Sequence, residues 1–391
     1  MRSSTENSGA QHVIGLFPEL LAPGGVQLSG RMIAAALAEI AATNSWQLDF
    51  LSLNDPAGRQ QVRFGNLSIP FRAFGRSKVK FVLAALAAAR KSVANGALSR
   101  IVLAAHPNLA VPASWMQRLA LSSSPFRSIV VAHGIEVWQP LAASRRRALQ
   151  RANLVAAPSR YTAQRLAEVQ GVAADRVCRL AWPLDPEFLS LAAAPERSRA
   201  PSGFPEGHVV LAVGRWVSSE RYKGADELIA AVAQLRPAFR DLHLALVGTG
   251  DDVPRLRQLA RASGVAASVH FLERLTREEL AGCYAQCDIF ALPSTGEGFG
   301  FVFLEAMAFA KPVVGAAAGG ITDLIEDGVN GLLVPGHDSE KLAAALEALL
   351  PDELLRRRMG ASGAEKVRSE FRFDSFRENL GEIVRRASRS S

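Results

Sequence analysis

The residue types best suited to ligand chemistry are concentrated between Ser294 and Ala308, which read STGEGFGFVFLEAMA. Three glycines let the backbone of this stretch approach a ligand closely: Gly296, Gly298 and Gly300. The amides of residues 301–303 begin a helix, so they lack intrahelical acceptors and present the positive end of the helix dipole. Together these groups predict a site for an anion such as a phosphate.

Two carboxylates flank this anion site. Glu297 lies in the loop and Glu305 lies one turn into the helix. Carboxylates repel phosphate but accept hydrogen bonds from hydroxyls, so the ligand should carry both a phosphate and sugar hydroxyls. The structural alternative is a glycine turn with a solvated Glu297 and with Glu305 favoured by the helix dipole. A glycine loop of this kind does not decide between the two interpretations alone.

Apolar segments on both sides of the loop predict the elements that position it. DIFALPS precedes the loop as a short buried strand, and FVFLEAMAFA and KPVVGA follow it as a helix and the next strand. This order predicts a right-handed crossover unit whose loop lies at the carboxyl edge of a parallel sheet. Ligands bind at that edge in such folds.

A basic pair is predicted at the same edge. Arg215 follows the apolar strand HVVLAVG, and Lys223 begins the next helix. Two cations opposite a helix amino terminus could hold a diphosphate. As isolated residues they would equally be surface charges, and their shared edge with the Glu297 loop favours phosphate ligands.

The first half of the chain begins with a similar unit. Gly24 and Gly25 lie in a loop between an apolar strand and a helix, but no G-x-G-x-x-G pattern is present, which argues against a nicotinamide cofactor. His133 ends a later strand and precedes a glycine, so it is a candidate site residue. The alternative is a strand-end histidine bonded to a neighbouring carbonyl. His106 is a weaker candidate because a proline follows it.

Length and alternation predict an α/β chain with two doubly wound, Rossmann-like domains that face each other across a cleft. The segment AAAPERSRAPSGFPEG is rich in proline, alanine and serine, and it predicts an interdomain linker. The predicted boundaries are an amino-terminal Rossmann-like domain over 1–191, a linker over 192–207, a carboxyl-terminal Rossmann-like domain over 208–370 and a final helix over 371–391 that packs towards the first domain.

Charge is distributed unevenly along the 391 residues. The net charge is +8, and residues 1–195 hold 21 Lys and Arg against 10 Asp and Glu. Without a nucleic-acid motif or interleaved aromatic residues, this excess favours an anionic membrane surface or an anionic lipid-linked substrate over nucleic acid. Scattered solvated arginines are the alternative.

Residues 74–93 form a predicted helix with basic ends and an alanine-rich middle. Such a helix could lie at a membrane interface. We favour packing on the sheet, with Val82, Leu83 and Leu86 covering its face, although one helix can do both. The basic residues at its two ends are Arg76, Lys78, Lys80, Arg90 and Lys91.

The remaining composition predicts a cytoplasmic protein that is peripheral on the inner face of the cell membrane. The polar start MRSSTENSGAQH has no apolar core, so no signal peptide is predicted. The three cysteines, Cys178, Cys283 and Cys287, have no metal-binding spacing with histidines, and reduced thiols are expected.

Several segments resemble retaining nucleotide-sugar glycosyltransferases of glycosyltransferase family 4, which have the GT-B fold. The resemblance lies in GEGFGFVFLEAMAFAKPVV, VGRWVSSERYKGADELI, AHGIEVWQPL, PGGVQLSG and GGITDLIEDGVNGLLVP, and it covers almost the whole chain. The signature combined with the Arg and Lys pair is specific. The segment between Arg215 and Lys223 is longer than in many members.

The resemblance implies roles for individual residues. Glu297 would contact hydroxyls of the donor sugar, and Glu305 would hold the ribose. Arg215 and Lys223 would bind the diphosphate and stabilise its leaving charge, and His133 would lie beside the donor sugar. The other donor-binding residues that it implies are Gly298, Phe299, Gly300, Phe301, Val302, Gly24, Gly25, Thr249, Gly250 and Arg274.

The chemistry implied is hexose transfer, of mannose or glucose type, with retained configuration. The donor is a nucleotide-diphosphate sugar, no cofactor or divalent metal is expected, and Asp251 and Asp252 are not interpreted as a metal site. The acceptor would be a glycan or a polyprenyl-linked molecule in polysaccharide, lipopolysaccharide or glycolipid biosynthesis. The alternatives are an epimerase or a phosphorylase on the same fold, although no phosphorylase cofactor lysine is evident, and a non-catalytic nucleotide-sugar-binding scaffold.

Overall fold

The computed structural model describes residues 11–94, 99–119 and 126–389. The polar start that predicts no signal peptide lies outside the described residues over 1–10. Contacts divide the chain into two compact units. Unit 1 comprises residues 1–182 and 373–391, and unit 2 comprises residues 183–372.

Unit 1 is built on a mostly parallel sheet. Within the described ranges its eight strands follow the order β3-β4-β2-β1-β5-β6-β7-β8. The strands are β1 (Gln11–Phe17), β2 (Gln47–Ser52), β3 (Gly58–Phe64), β4 (Leu67–Ala73), β5 (Ser99–Ala104), β6 (Arg127–Val131), β7 (Leu154–Ala157) and β8 (Val177–Arg179). The first five helices are α1 (Gly25–Asn44), α2 (Lys78–Ala94), α3 (Ala110–Leu119), α4 (Ala143–Arg151) and α5 (Arg160–Glu168). Every residue of β1 is buried, as expected for a central parallel strand covered on both faces.

The antiparallel hairpin of β3 and β4 is not among the sequence predictions. Phe64 pairs with Leu67, so Gly65 and Asn66 form a two-residue turn in which Gly65 has a φ of 54°. A Gly-Asn pair between two partly alternating segments is a known hairpin signal. The hairpin extends one edge of the sheet.

Helix α2 confirms the predicted packing of its alanine-rich middle. Phe81, Ala85 and Ala89 are buried in the core. The prediction for Leu83 is wrong, because its side chain is 60% exposed. The helical period of 3.6 residues turns this position away from the buried face, and Val79, one turn earlier, is 71% exposed as well.

Unit 2 has a wholly parallel sheet. Its strands among the described residues follow the order β11-β10-β9-β12-β13-β14. They are β9 (His208–Val213), β10 (Leu242–Val247), β11 (Val269–Leu272), β12 (Ile289–Leu292), β13 (Val313–Ala316) and β14 (Gly331–Val334). The helices are α6 (Pro186–Ala193), α7 (Ala225–Leu235), α8 (Val253–Ala262), α9 (Arg277–Gln286), α10 (Phe301–Ala308), α11 (Ile321–Leu324), α12 (Ser339–Leu349) and α13 (Glu353–Glu370).

The predicted domain boundary and linker differ from the boundary between unit 1 and unit 2. Unit 2 begins at Pro183, before the predicted first domain would end at residue 191. The segment 192–207 belongs to unit 2 because its backbone packs closely on α9: a Cβ added to Gly282 would lie 2.1 Å from the Ala200 nitrogen. Composition identifies an irregular segment here, but irregular backbone can still be packed.

The last helix, α14 (Phe373–Arg389), belongs to unit 1. Leu380 and Val384 are fully buried, and the helix packs on α1, β5 and β6. Arg377 bonds Glu39 of α1 over 2.6 Å. Unit 1 is therefore completed by a segment that is distant in sequence.

Candidate functional site

The carboxyl edge of the unit 2 sheet collects most of the predicted donor-site residues. β9 pairs with β10 on one side and with β12 on the other, and this reversal of strand order is where α/β sheets bind ligands. Arg215 follows β9 and the loop of Glu297 follows β12. The predicted residues therefore flank the switch point of the sheet.

Lys223 and Glu297 are in direct contact at this edge. The Lys223 Nζ lies 3.1 Å from Glu297 Oε1, and the two side chains are only 13% and 18% exposed. Arg215 extends into solvent with 73% of its side chain exposed, and it donates to Glu220 Oε1. The structure therefore brings the predicted phosphate ligand Lys223 and the predicted hydroxyl-binding carboxylate Glu297 into one contact.

Close backbone packing supports the loop between β12 and α10. The Gly320 amide donates to the Glu297 carbonyl over 2.8 Å, and a Cβ on Gly320 would lie 2.1 Å from the Gly298 carbonyl oxygen. Gly300 has a φ of 98° and begins α10 without a side-chain cap. The glycine pair that precedes α11 therefore supports the loop that holds Glu297.

The residues at the start of α10 differ in accessibility. Phe301 and Val302 are partly exposed, whereas Phe299 is 4% exposed and packs against Phe371 with ring centroids 5.9 Å apart. Any contact of Phe299 with a donor must therefore come from its backbone.

Glu305 has an unusual environment for a carboxylate. The buried Tyr284 donates its hydroxyl to Glu305 Oε2 over 2.8 Å. Burial raises the pKa of Glu305 to about 7, although the Tyr284 hydrogen bond and the nearby Arg277 guanidinium counteract that rise. Glu305 therefore changes charge near neutral pH.

The predicted base-site residues lie at two neighbouring strand ends. Trp216 donates its amide to the Thr249 carbonyl over 3.0 Å, and Gly250 packs directly on the Trp216 backbone. Asp251 accepts from the Ser218 amide and hydroxyl at 2.9 and 2.8 Å, so it anchors the segment that follows Arg215. Arg274 follows β11, is exposed and has a φ of 58°.

The candidate residues of unit 1 form a second cluster. His133 Nε2 donates to the Ala105 carbonyl over 2.7 Å, and its Nδ1 lies 3.1 Å from Ser29 Oγ. The ring stacks between those of His106 and Trp182, with centroids 5.3 and 5.4 Å away. Burial lowers the pKa of His133, which favours the neutral imidazole. The carbonyl bond that formed the structural alternative for His133 is present, and both ring nitrogens have partners.

Two charged residues hold the glycine loop of unit 1. Asp55 accepts from the amides of Leu20 and Leu21 at 2.8 and 3.1 Å, and Arg31 donates to the Leu20 carbonyl over 2.9 Å. Gly24 has a φ of 136°, and Gly25 begins α1. Both the amide and the carbonyl groups of this loop therefore have side-chain partners.

Sequence reasoning missed several of these residues. Glu220 contacts both basic residues, Tyr284 bonds Glu305, and Ser29 bonds His133. The longer segment between Arg215 and Lys223 was the only sequence signal for Glu220. Tyr284 and Ser29 lie on helices, and nothing local predicts which distant side chain they meet.

Residues 11–94, 99–119 and 126–389 contain neither a metal cluster nor a membrane-spanning helix. No group of three or more His, Cys, Asp or Glu residues there is arranged to hold a metal ion. None of the helices in those ranges combines the length and the apolar character needed to cross a bilayer.

Comparisons with known proteins identify the family. The family described as Glycosyl transferases group 1 matches residues 195–366. A GDP-mannose-dependent alpha-(1-6)-phosphatidylinositol monomannoside mannosyltransferase from Mycolicibacterium smegmatis is 32% identical over 287 residues, which cover 70% of this chain and 74% of that protein. The chain belongs to the group 1 glycosyl transferases.

A second relative matches a shorter part of the chain. A D-inositol 3-phosphate glycosyltransferase from Salinispora arenicola is 41% identical over 207 residues, covering 49% of this chain and 45% of that protein. The match thus spans about half of this chain and less than half of that relative.

Solved structures confirm the predicted GT-B fold. Sucrose-phosphate synthase from Thermosynechococcus elongatus matches with a TM-score of 0.72 and 21% identity, covering 96% of this chain and 98% of that one. The Anabaena protein Alr3699/HepE in complex with UDP matches with a TM-score of 0.69 and 21% identity, covering 95% and 98%.

Proposed function

We propose that this group 1 glycosyl transferase moves a hexose from a nucleotide-diphosphate sugar to a glycan or lipid-linked acceptor and retains the anomeric configuration. The observation that carries the proposal is the contact between Lys223 and Glu297 at the switch point of unit 2. This contact places a cation that would bind phosphate beside a carboxylate that would accept hydrogen bonds from sugar hydroxyls. A sugar nucleotide carries both kinds of group.

The charges of the site suit departure of a diphosphate. Arg215, Lys223 and the amino terminus of α10 would stabilise the negative charge that develops on the leaving group. These groups would supply that stabilisation without a divalent metal, and we propose no cofactor. Glu297 would accept from sugar hydroxyls and fix the ring.

Retention is consistent with reaction on one face of the sugar. The bond from the anomeric carbon to the diphosphate would break as the acceptor oxygen forms its bond on the same face. The acceptor proton would pass to the departing phosphate oxygen. Because the leaving diphosphate would act as the base for the acceptor hydroxyl, the reaction needs no protein group to remove that proton.

The mannosyltransferase from M. smegmatis supports a lipid-linked acceptor and GDP-mannose as one donor to test, since its name specifies both kinds of molecule. UDP-glucose is the second donor to test. Helix α2 supports docking on an anionic membrane, because exposed Val79 and Leu83 lie one turn apart beside exposed lysines and arginines. We infer a cytoplasmic location on the inner face of that membrane.

A panel of nucleotide sugars tests the proposed reaction. GDP-mannose and UDP-glucose come first, with thermal stabilisation, release of the nucleoside diphosphate and the anomer of the product as measurements. We expect one donor to raise the melting temperature and yield a product with the donor's configuration. Stabilisation without turnover would support the scaffold alternative, and an inverted product would contradict retention.

A further inference from the structure

Glu220 lies between the two cations of the donor site. Its Oε1 accepts from Arg215 Nη2, and its Oε2 lies 3.7 Å from Lys223 Nζ. The Oε2 atom is buried and has no hydrogen-bond partner in the described part of the chain. One carboxylate thus bridges both groups that the proposed function assigns to the diphosphate.

This bridge changes the charge that an incoming ligand meets. Lys223 also contacts Glu297, so two cations face two carboxylates in this cluster. A diphosphate would therefore approach a cluster whose formal charges cancel, and its attraction to that cluster is much weaker than to the cations alone.

The exposure of the three side chains indicates which of them moves. The Arg215 side chain is 73% exposed, so it can turn towards a ligand in solvent. Glu220 and Lys223 are each 13% exposed. Asp251 holds the start of their segment through Ser218. Glu220 would therefore stay near the diphosphate after Arg215 has left it.

We propose that Glu220 is a counter-ion of Arg215 and Lys223 that the donor diphosphate displaces and that limits diphosphate affinity. Before binding, it competes with the ligand for both cations. After binding, its negative charge repels the diphosphate, which favours release of the nucleotide product. The inference rests on the proposed function. The opposite role, in which Glu220 positions the two cations for the ligand, predicts an effect of opposite sign.

Calorimetric titration of UDP, GDP and inorganic pyrophosphate into Glu220→Gln tests the inference. We expect the glutamine variant to bind pyrophosphate, and whichever nucleotide the wild type binds, at least about tenfold more tightly, because the bridge and the repulsion are both removed. Glu220→Ala, which bonds neither cation, should change affinity in the same direction. Thermal melting checks that each variant is folded.

Glu227→Gln is the matched control. Glu227 is 17% exposed and lies in α7, where it bonds His337 Nδ1 over 3.0 Å rather than the basic pair. Its substitution removes the same charge and should change affinity less than about twofold. Unchanged or weaker binding by Glu220→Gln would overturn the inference while leaving the proposed function intact. If the wild type and the variants bind none of the three ligands, the inference and the proposed function are both contradicted.

Discussion

The side chains of the donor site are set by contacts that reach beyond their own loop. Glu305 illustrates this, because Tyr284 of α9 bonds it and burial raises its pKa to about 7. We propose that Glu305 accepts hydrogen bonds from the ribose hydroxyls of the nucleotide, for which its ionised form is the better acceptor. Its charge at neutral pH should therefore control nucleotide binding.

Nucleotide affinity should rise with pH through this pKa. A carboxyl with a pKa of about 7 is mostly protonated at pH 6 and mostly ionised at pH 8, so the competent fraction rises about tenfold. We expect the same gain in GDP or UDP affinity by calorimetry. In Glu305→Gln that component of the pH dependence should be absent.

Two further measurements separate this effect from titration of the ligand. Pyrophosphate has phosphates but no ribose, so its binding should show the same pH profile in the wild type and in Glu305→Gln. Tyr284→Phe removes the hydrogen bond that lowers the Glu305 pKa, so the midpoint for nucleotide binding should move to higher pH. A nucleotide profile unaffected by Glu305→Gln would refute the ribose role.

At the scale of elements, α2 combines a buried face with an exposed one. Val79 is 71% and Leu83 is 60% exposed, and Lys78 and Lys80 beside them are exposed too. On α3, Trp115 is 45% exposed, and tryptophan is enriched at membrane interfaces. We propose that this surface docks on anionic lipid.

Vesicle binding tests this role of α2. Substitution of Lys78 and Lys80 by glutamine should weaken binding to vesicles of phosphatidylglycerol and phosphatidylcholine by about 30-fold, since each basic residue near the surface contributes about 1 kcal/mol. The wild type should bind far less as salt rises from 0.1 to 1 M, because the Debye length falls from about 10 to about 3 Å.

Leu354 provides a control on unit 2. It is 80% exposed on α13, whereas Leu83 is 60% exposed, so Leu354→Ser removes more exposed apolar surface than Leu83→Ser. We expect only the α2 substitution to reduce vesicle binding. Salt-insensitive binding, or equal effects of the two substitutions, would mean that α2 is not the docking surface.

Individual strands and helices show how much of the fold the local sequence pattern predicts. The apolar segment before the Gly24 loop predicts a strand, and β1 confirms it. Leu83 shows the limit of prediction from residue type. A leucine is expected to be buried, but its position along α2 turns this side chain towards solvent. Helical period rather than hydrophobicity thus decides which residues cover the sheet.

At the scale of the molecule, the fold was largely predictable and the pairings within the site were not. Alternating strands and helices predict two α/β units, and strand ends place Arg215 and Glu297 at one edge. The bond from Tyr284 to Glu305 and the bridge at Glu220 depend on how elements pack, which local sequence does not encode. The position of Pro183 and the return of α14 to unit 1 likewise depend on long-range contacts.

The central claim concerns Glu297, which we propose to contact the donor sugar and not to anchor the nucleotide. Release of nucleoside diphosphate by Glu297→Ala, compared with wild type, measures this most directly, with Glu353→Ala as the control, because the Glu353 side chain on α13 is 63% exposed. We predict a loss of about 100-fold or more in turnover, nucleotide binding at least as tight as in the wild type because Lys223 loses a carboxylate partner, and an unaffected control. Unchanged turnover in Glu297→Ala would contradict the account.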